Sequence, residues 1–145
     1  MGTSITHIPE RLDRAIRQPW QMRAMAILDA LILNLLILAG ARVINGEYPV
    51  AKVGDDEQTI GFAQVIIVTV LAGLVAWGLL ALLERATGRA ATIWTAIAVA
   101  VFLLSMLGPL GSGVGTSSKV VLALMHIAAA VTIIPLMRRS ARIGS

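Results

Sequence analysis

Four polar side chains, Asp29, Asn34, Ser105 and His126, stand inside long apolar runs and bring a carboxylate, an amide, a hydroxyl and an imidazole into greasy surroundings. A carboxylate inside a bilayer is costly unless it is paired, protonated or wetted, so Asp29 is the leading candidate for a proton or cation site. The structural alternative has it accepting a hydrogen bond from Thr132, Thr95 or the Trp77 indole at similar depth. His126 shares a helical face with Ala123, Ala129 and Ala130, which turns it toward neighbouring helices. There it can act as a pH-sensitive switch or touch a small ligand such as a quinone. Its structural alternative is a hydrogen-bonded cluster with Asn34 and Ser105 near the membrane middle. Asp29 and Asn34 are five residues apart, roughly 140° around a helix, so they do not serve one narrow site.

Several other chemistries are excluded. The chain has no cysteine, hence no disulfide, no thiolate metal site and no cysteine nucleophile. His7, the second of the two histidines, falls in the N-terminal tail, so paired histidine ligation of a haem would need two copies. The run 111–119 looks superficially like a phosphate loop but lacks the G-x-x-x-x-G-K-[ST] spacing, and it reads as a flexible connection. Asp55, Asp56 and Glu57 lack the spaced ligands of a calcium loop and read as a solvated acidic turn, with 48–53 briefly extended. No nucleophile and base pair is visible, so neither catalytic residues nor a metal or cofactor is expected.

The elements that must position the four polar groups follow from composition. The chain is 57% hydrophobic and 14% charged, with a mean hydropathy of +0.84. A soluble domain is about one quarter charged, so these values belong to lipid. Four windows, 24–43, 62–83, 91–110 and 120–137, approach the roughly 20 apolar residues that a spanning helix needs. Such runs without period-two alternation are helices, not barrel strands. The expectation is an all-α integral membrane protein, an antiparallel four-helix bundle preceded by a short amphipathic N-terminal segment.

Its parts are a basic tail over 1–23, the transmembrane domain over 24–137 and a second basic tail over 138–145. In the first tail Ile8, Leu12 and Ile16 oppose Arg11, Arg14 and Arg17, a pattern that suits a helix on the membrane surface, ended by Pro19 and anchored by Trp20. Small residues at helical spacing predict the packing faces: Thr92, Ala96 and Ala100; Ala72 and Ala76 beside Gly73 and Gly78; Ala123, Ala129 and Ala130. The short connection 84–89 forces an antiparallel hairpin, and Gly108 with Pro109 ends the third helix.

Nine of the twelve Lys and Arg residues flank the spans on one side, which places both termini in the cytoplasm and the protein in the inner membrane. Trp20 and Trp94 then lie at the inner interface, with Tyr48 and Phe62 at the outer one. The net charge of +4 and pI near 10.7 match lipid headgroups, not nucleic acid, since no aromatic residues interleave the basic ones. Ala39, Gly40 and Ala41 mimic a signal-peptidase site. The preceding run exceeds the roughly 7 to 15 residues of a signal core, and Asp29 and Asn34 interrupt it, so the first span is expected to remain uncleaved.

Residues 82–85 (LLER), 105–110 (SMLGPL) and 122–135 (LALMHIAAAVTIIP), followed by Arg138 and Arg139, together resemble a bacterial family of small four-helix membrane proteins, domain of unknown function family six-zero-six-nine. In that family a histidine follows L-x-L-M in the last helix, which makes His126 its counterpart here. The resemblance implies membership and topology and no activity. The resulting expectation is a non-enzymatic membrane component or accessory subunit, partnered by lipid and by a second copy or another membrane protein. The alternatives are a small proton-coupled or small-molecule transporter using Asp29 and His126, and a quinone-handling redox partner.

Overall fold

The computed structural model describes residues 19–143. The amphipathic pattern over 8–16 and His7 lie outside the described residues. Helix α1 (Pro19–Asn45) is followed by a hairpin of β1 (Val50–Val53) and β2 (Asp56–Thr59), then by α2 (Phe62–Ala86), α3 (Ala90–Ser105), α4 (Leu107–Ser112) and α5 (Gly115–Ile143). Pro19 occupies the first turn of α1, where its missing N–H costs nothing. The α2–α3 connection is tight: extended Thr87 donates its N–H to the Leu83 carbonyl, and its hydroxyl accepts from the Arg89 N–H.

Four helical segments, of 27, 25, 23 and 27 residues, are long and apolar enough to cross a membrane, the third combining α3 with α4. The protein is thus a multi-pass membrane protein whose spans pack as a helical bundle, and an even number of crossings returns the chain to its starting side. One end of the bundle holds the start of α1 and the finish of α5, and the β-hairpin caps the other. α1 lies against α5 and α2, and α3 lies against the same two helices from the opposite side.

Apolar packing divides into two cores. Near the terminal end Ala26, Ile27 and Ala30 of α1 meet Leu80, Trp94, Ile133 and Met137. Near the hairpin end Leu38 and Ala41 meet Val65, Val121 and Met125. Tyr48 and Phe62 contact edge to face there, with centroids 5.9 Å apart and the Arg42 guanidinium 5.3 Å from the Tyr48 ring centroid.

Three expectations need correction. The third helix stops at Ser105, ahead of Gly108 and Pro109, and both of those residues belong to the helical turn α4, with Pro109 in its first turn. The glycine-rich connection is not a loose linker either: the Val114 N–H bonds the Val50 carbonyl at 2.9 Å and Ser118 Oγ accepts from the Val50 N–H at 3.0 Å. Gly113 is buried in that contact, where a Cβ would stand 2.7 Å from the Pro109 carbonyl oxygen. Finally, the small face Thr92, Ala96 and Ala100 points outward, all three residues being exposed. α3 seats itself through Trp94 instead, which is 1% exposed and donates its indole N–H to the Ala76 carbonyl at 2.9 Å. An indole so enclosed is a core residue and not part of an interfacial belt, whereas Trp20 is exposed.

α1 and α2 touch closely where Ile27 meets Gly73. A Cβ on Gly73 would lie 2.6 Å from Ile27 Cγ1, an atom held by a stiff β-branched side chain. Gly73→Ala gains up to about 1 kcal/mol of helix propensity against an overpacking cost of about 1–3 kcal/mol, so the cost wins. Melting in detergent should show a lower Tm for Gly73→Ala and no loss for Gly78→Ala, whose surroundings are open. In an Ile27→Ala background Gly73→Ala should cost nothing further.

Candidate functional site

Polar groups enter the bundle at two depths, and in each case the buried face of α1 supplies one of them. That face runs through Arg23, Ala26, Ile27, Ala30, Asn34, Leu38 and Ala41, in steps of mostly three or four residues. Arg23 and Asn34 are eleven positions apart, about three helical turns, and so share a side.

At the terminal end Arg23 is 6% exposed. Its Nη2 meets Glu84 Oε1 of α2 at 2.5 Å, and its Nε donates to Ser140 Oγ of α5 at 3.0 Å. The Ser140 hydroxyl in turn donates a hydrogen bond to the Met137 carbonyl at 2.7 Å, so its polar capacity is used in both directions. One guanidinium thereby joins three helices. Sequence reasoning counted Arg23 only as a topology determinant and gave Glu84 no task. The available signal was an acid closing an apolar span opposite an arginine opening another.

Between the two cores Asn34 is 5% exposed and its Nδ2 donates to Thr69 Oγ1 of α2 at 3.0 Å. Asn34 Oδ1 is buried without a hydrogen-bond partner. Beside this pair lies a cavity of about 270 Å³. Its lining includes Asn34, Val65 and Thr69 together with Met125, His126 and Ala129 of α5, and no residue of α3. His126 is half-buried, and its Nδ1 lies 2.8 Å from the Leu122 carbonyl oxygen. A carbonyl only accepts, so Nδ1 carries the hydrogen and a neutral ring keeps its lone pair on Nε2.

The structure therefore brings two of the four sequence-derived site residues, Asn34 and His126, to one cavity. It does not bring Ser105 there: that hydroxyl donates to the Phe102 carbonyl of its own helix at 2.7 Å. The expected mutual hydrogen bonding of Asn34, Ser105 and His126 is absent because each finds a partner elsewhere, on α2 or on its own backbone. Asp29 is half-buried and does not line the cavity. Two of the three partners expected for it are engaged elsewhere, Thr95 donating to the Ala91 carbonyl and Thr132 to those of Ala128 and Ala129, and the Trp77 indole does not reach it. Asp29 makes no hydrogen bond or ion pair with any described residue. Thr69 was missed by sequence reasoning, although a threonine inside an apolar span is the type of group that hydrogen-bonds across helices. Among the described residues no group of three or more His, Cys, Asp or Glu side chains is placed to hold a metal ion.

Four packed apolar helices with polar links between them define an integral, multi-pass α-helical membrane protein. More narrowly, the chain belongs to a family of unknown function (DUF6069), whose profile matches residues 14–143. No curated protein and no solved structure matches it.

Removing one partner of a buried ion pair leaves the other charge uncompensated, at a cost of about 3–5 kcal/mol. Because the Glu84 side chain is 26% exposed, Arg23→Met should fall near the lower end, about 3 kcal/mol. Thermal unfolding in detergent should show that loss for Arg23→Met. The Arg23→Met/Glu84→Gln double variant should recover part of it, because no unpaired carboxylate remains.

Proposed function

We propose that the protein is a non-enzymatic component of the plasma membrane, with both termini in the cytoplasm, that acts as a subunit by docking α3 on another transmembrane helix. The observation that carries this reading is the outward small-residue face of α3. Thr92, Ala96 and Ala100 recur every four residues and stay exposed, and only 11% of the most apolar window of the third span is buried, against 22% to 28% in the other three. Small residues at that spacing let two helix backbones approach closely in lipid, where van der Waals packing replaces the missing hydrophobic drive. A carrier built on Asp29 and His126 would need both along one path, and Asp29 lies off the cavity that His126 lines. The orientation rests on the arginines that flank the terminal end.

Two experiments test this. A photo-crosslinking amino acid at Ala96 should give a discrete protein adduct in native membranes, at twice the chain's mass for a second copy or at another mass for a different subunit. The adduct should vanish with Ala100→Leu. The same group at Val75, exposed on α2, should give lipid adducts alone; lipid adducts alone at Ala96 as well would refute docking through α3. For the topology, a fluorescent reporter fused at either terminus should light up and a phosphatase fused there should stay silent. The reverse pattern would invert the placement of the protein.

A further inference from the structure

The cavity beside Asn34 is independent of the α3 face, and its polar atoms specify a ligand. Its mouth is lateral. Val68, 65% exposed in the second turn of α2, and Ala72, one turn further on, line the cavity while facing outward, so entry is from hydrocarbon. About 270 Å³ lies just under the roughly 300–1,000 Å³ of small-molecule pockets, enough for one ring or the head of a longer molecule whose tail stays in lipid. Among the lining residues no Asp, Glu, Lys or Arg occurs, so nothing there compensates a charged guest.

Inside the cavity lining stands one unpaired hydrogen-bond acceptor. Asn34 Oδ1 is buried and unpartnered, and a buried acceptor in that state is destabilising until a donor meets it. His126 holds a hydrogen on Nδ1 against the Leu122 carbonyl, so Nε2 is an acceptor when the ring carries no second proton. Gln64, at the hairpin-end rim, has engaged its oxygen with the Gly61 N–H, so its amide N–H groups are donors at that rim, more than a helical turn from Thr69. The complement of the buried Asn34 acceptor within apolar walls is an uncharged donor on an apolar body.

We infer that this cavity binds a neutral, membrane-soluble molecule through a hydroxyl group, a phenol or a reduced quinone ring, donated to Asn34 Oδ1 from the bilayer side. Quinones themselves, and ethers, carry only acceptors at the equivalent position and fit it poorly.

The test uses the full chain in lipid nanodiscs with an alkylphenol bearing a photoreactive diazirine. Labelling should saturate and map to 65–72 of α2 or 122–129 of α5. Displacement by 4-hexylphenol should need at least ten-fold less competitor than displacement by its methyl ether, 4-hexylanisole, or by a hexyl-substituted benzoquinone. Asn34→Leu, close in size and free of the acceptor, should erase that ten-fold preference. Ala129→Phe, which fills the cavity and leaves the Asn34–Thr69 bond in place, should abolish labelling altogether. Equal displacement by phenol and ether overturns the inference and shows an apolar slot filled by lipid chains. A benzoquinone that competes better than the phenol overturns it in favour of a donor site. Label scattered along the spans without saturation overturns it in favour of a cavity occupied by water.

Discussion

Hydrocarbon removes the force that would assemble these helices in water. Lipid tails are as apolar as leucine, so burying a leucine between helices gains little over leaving it in the bilayer, and close packing and hydrogen bonds must do the work. α1 shows both on a single face. Ala26, Ala30 and Ala41 bring backbones near, and Arg23 and Asn34 reach across to α2 at two depths. The bulky side chains of Leu28, Leu33 and Leu36 are left to the outside. α5 closes on the same face, tied by the Ser140 hydroxyl, and α3 is held by one indole hydrogen bond to the Ala76 carbonyl.

That inversion explains what could be read from the sequence and what could not. The existence of four spans was legible because the bilayer's thickness dictates how long an apolar run must be, whatever its neighbours. Which face of a span looks inward was less so, because apolar residues suit both sides and periodicity loses its contrast. Thr92, Ala96 and Ala100 have the spacing of a packing face, and the spacing is the same whether the partner belongs to this bundle or to another chain. Arg23 suffered a related ambiguity. Its charge is equally suited to a topology signal and to an ion pair, and its partners, Glu84 and Ser140, lie 61 and 117 positions away. The hairpin was half visible. β1 carries the apolar residues that suggested an extended stretch, whereas β2 is the fully exposed DEQT, whose pairing follows from the two-residue turn at Gly54 and Asp55. Motif resemblance was strongest from residue 82 onward, yet the family match spans 14–143, so the first half belongs to the same pattern through features less distinctive than LLER or the histidine-bearing last helix.

For the candidate site, depth was legible and partnership was not. Asn34 and His126 do reach one cavity, as helical rise places them at similar heights. Their hydrogen bonds go to Thr69 and to the Leu122 carbonyl, neither of which depth alone singles out. The void itself depends on volume. Trp94 fills the space between α2 and α5 near the terminal end, but α3 contributes no such wedge beside Asn34, where the small residues Ala72 and Ala129 leave the gap open.

Stability alone gives no account of Asn34. Its amide forms one hydrogen bond to Thr69, a contact of a kind worth about 0.6 kcal/mol on average between membrane helices, while its buried Oδ1 forfeits about 1–3 kcal/mol. Nor does Thr69 require the asparagine, since a threonine in a helix can bond its own backbone, as Thr95 and Thr132 do here. The two terms leave Asn34 a net cost to the bundle. Arg23 differs in kind: the bonds from its Nη2 and Nε reach Glu84 and Ser140, and the serine is itself satisfied by Met137. The polar groups at the terminal end are thus satisfied among themselves, whereas Asn34, between the two cores, keeps one buried acceptor without a partner beside a cavity.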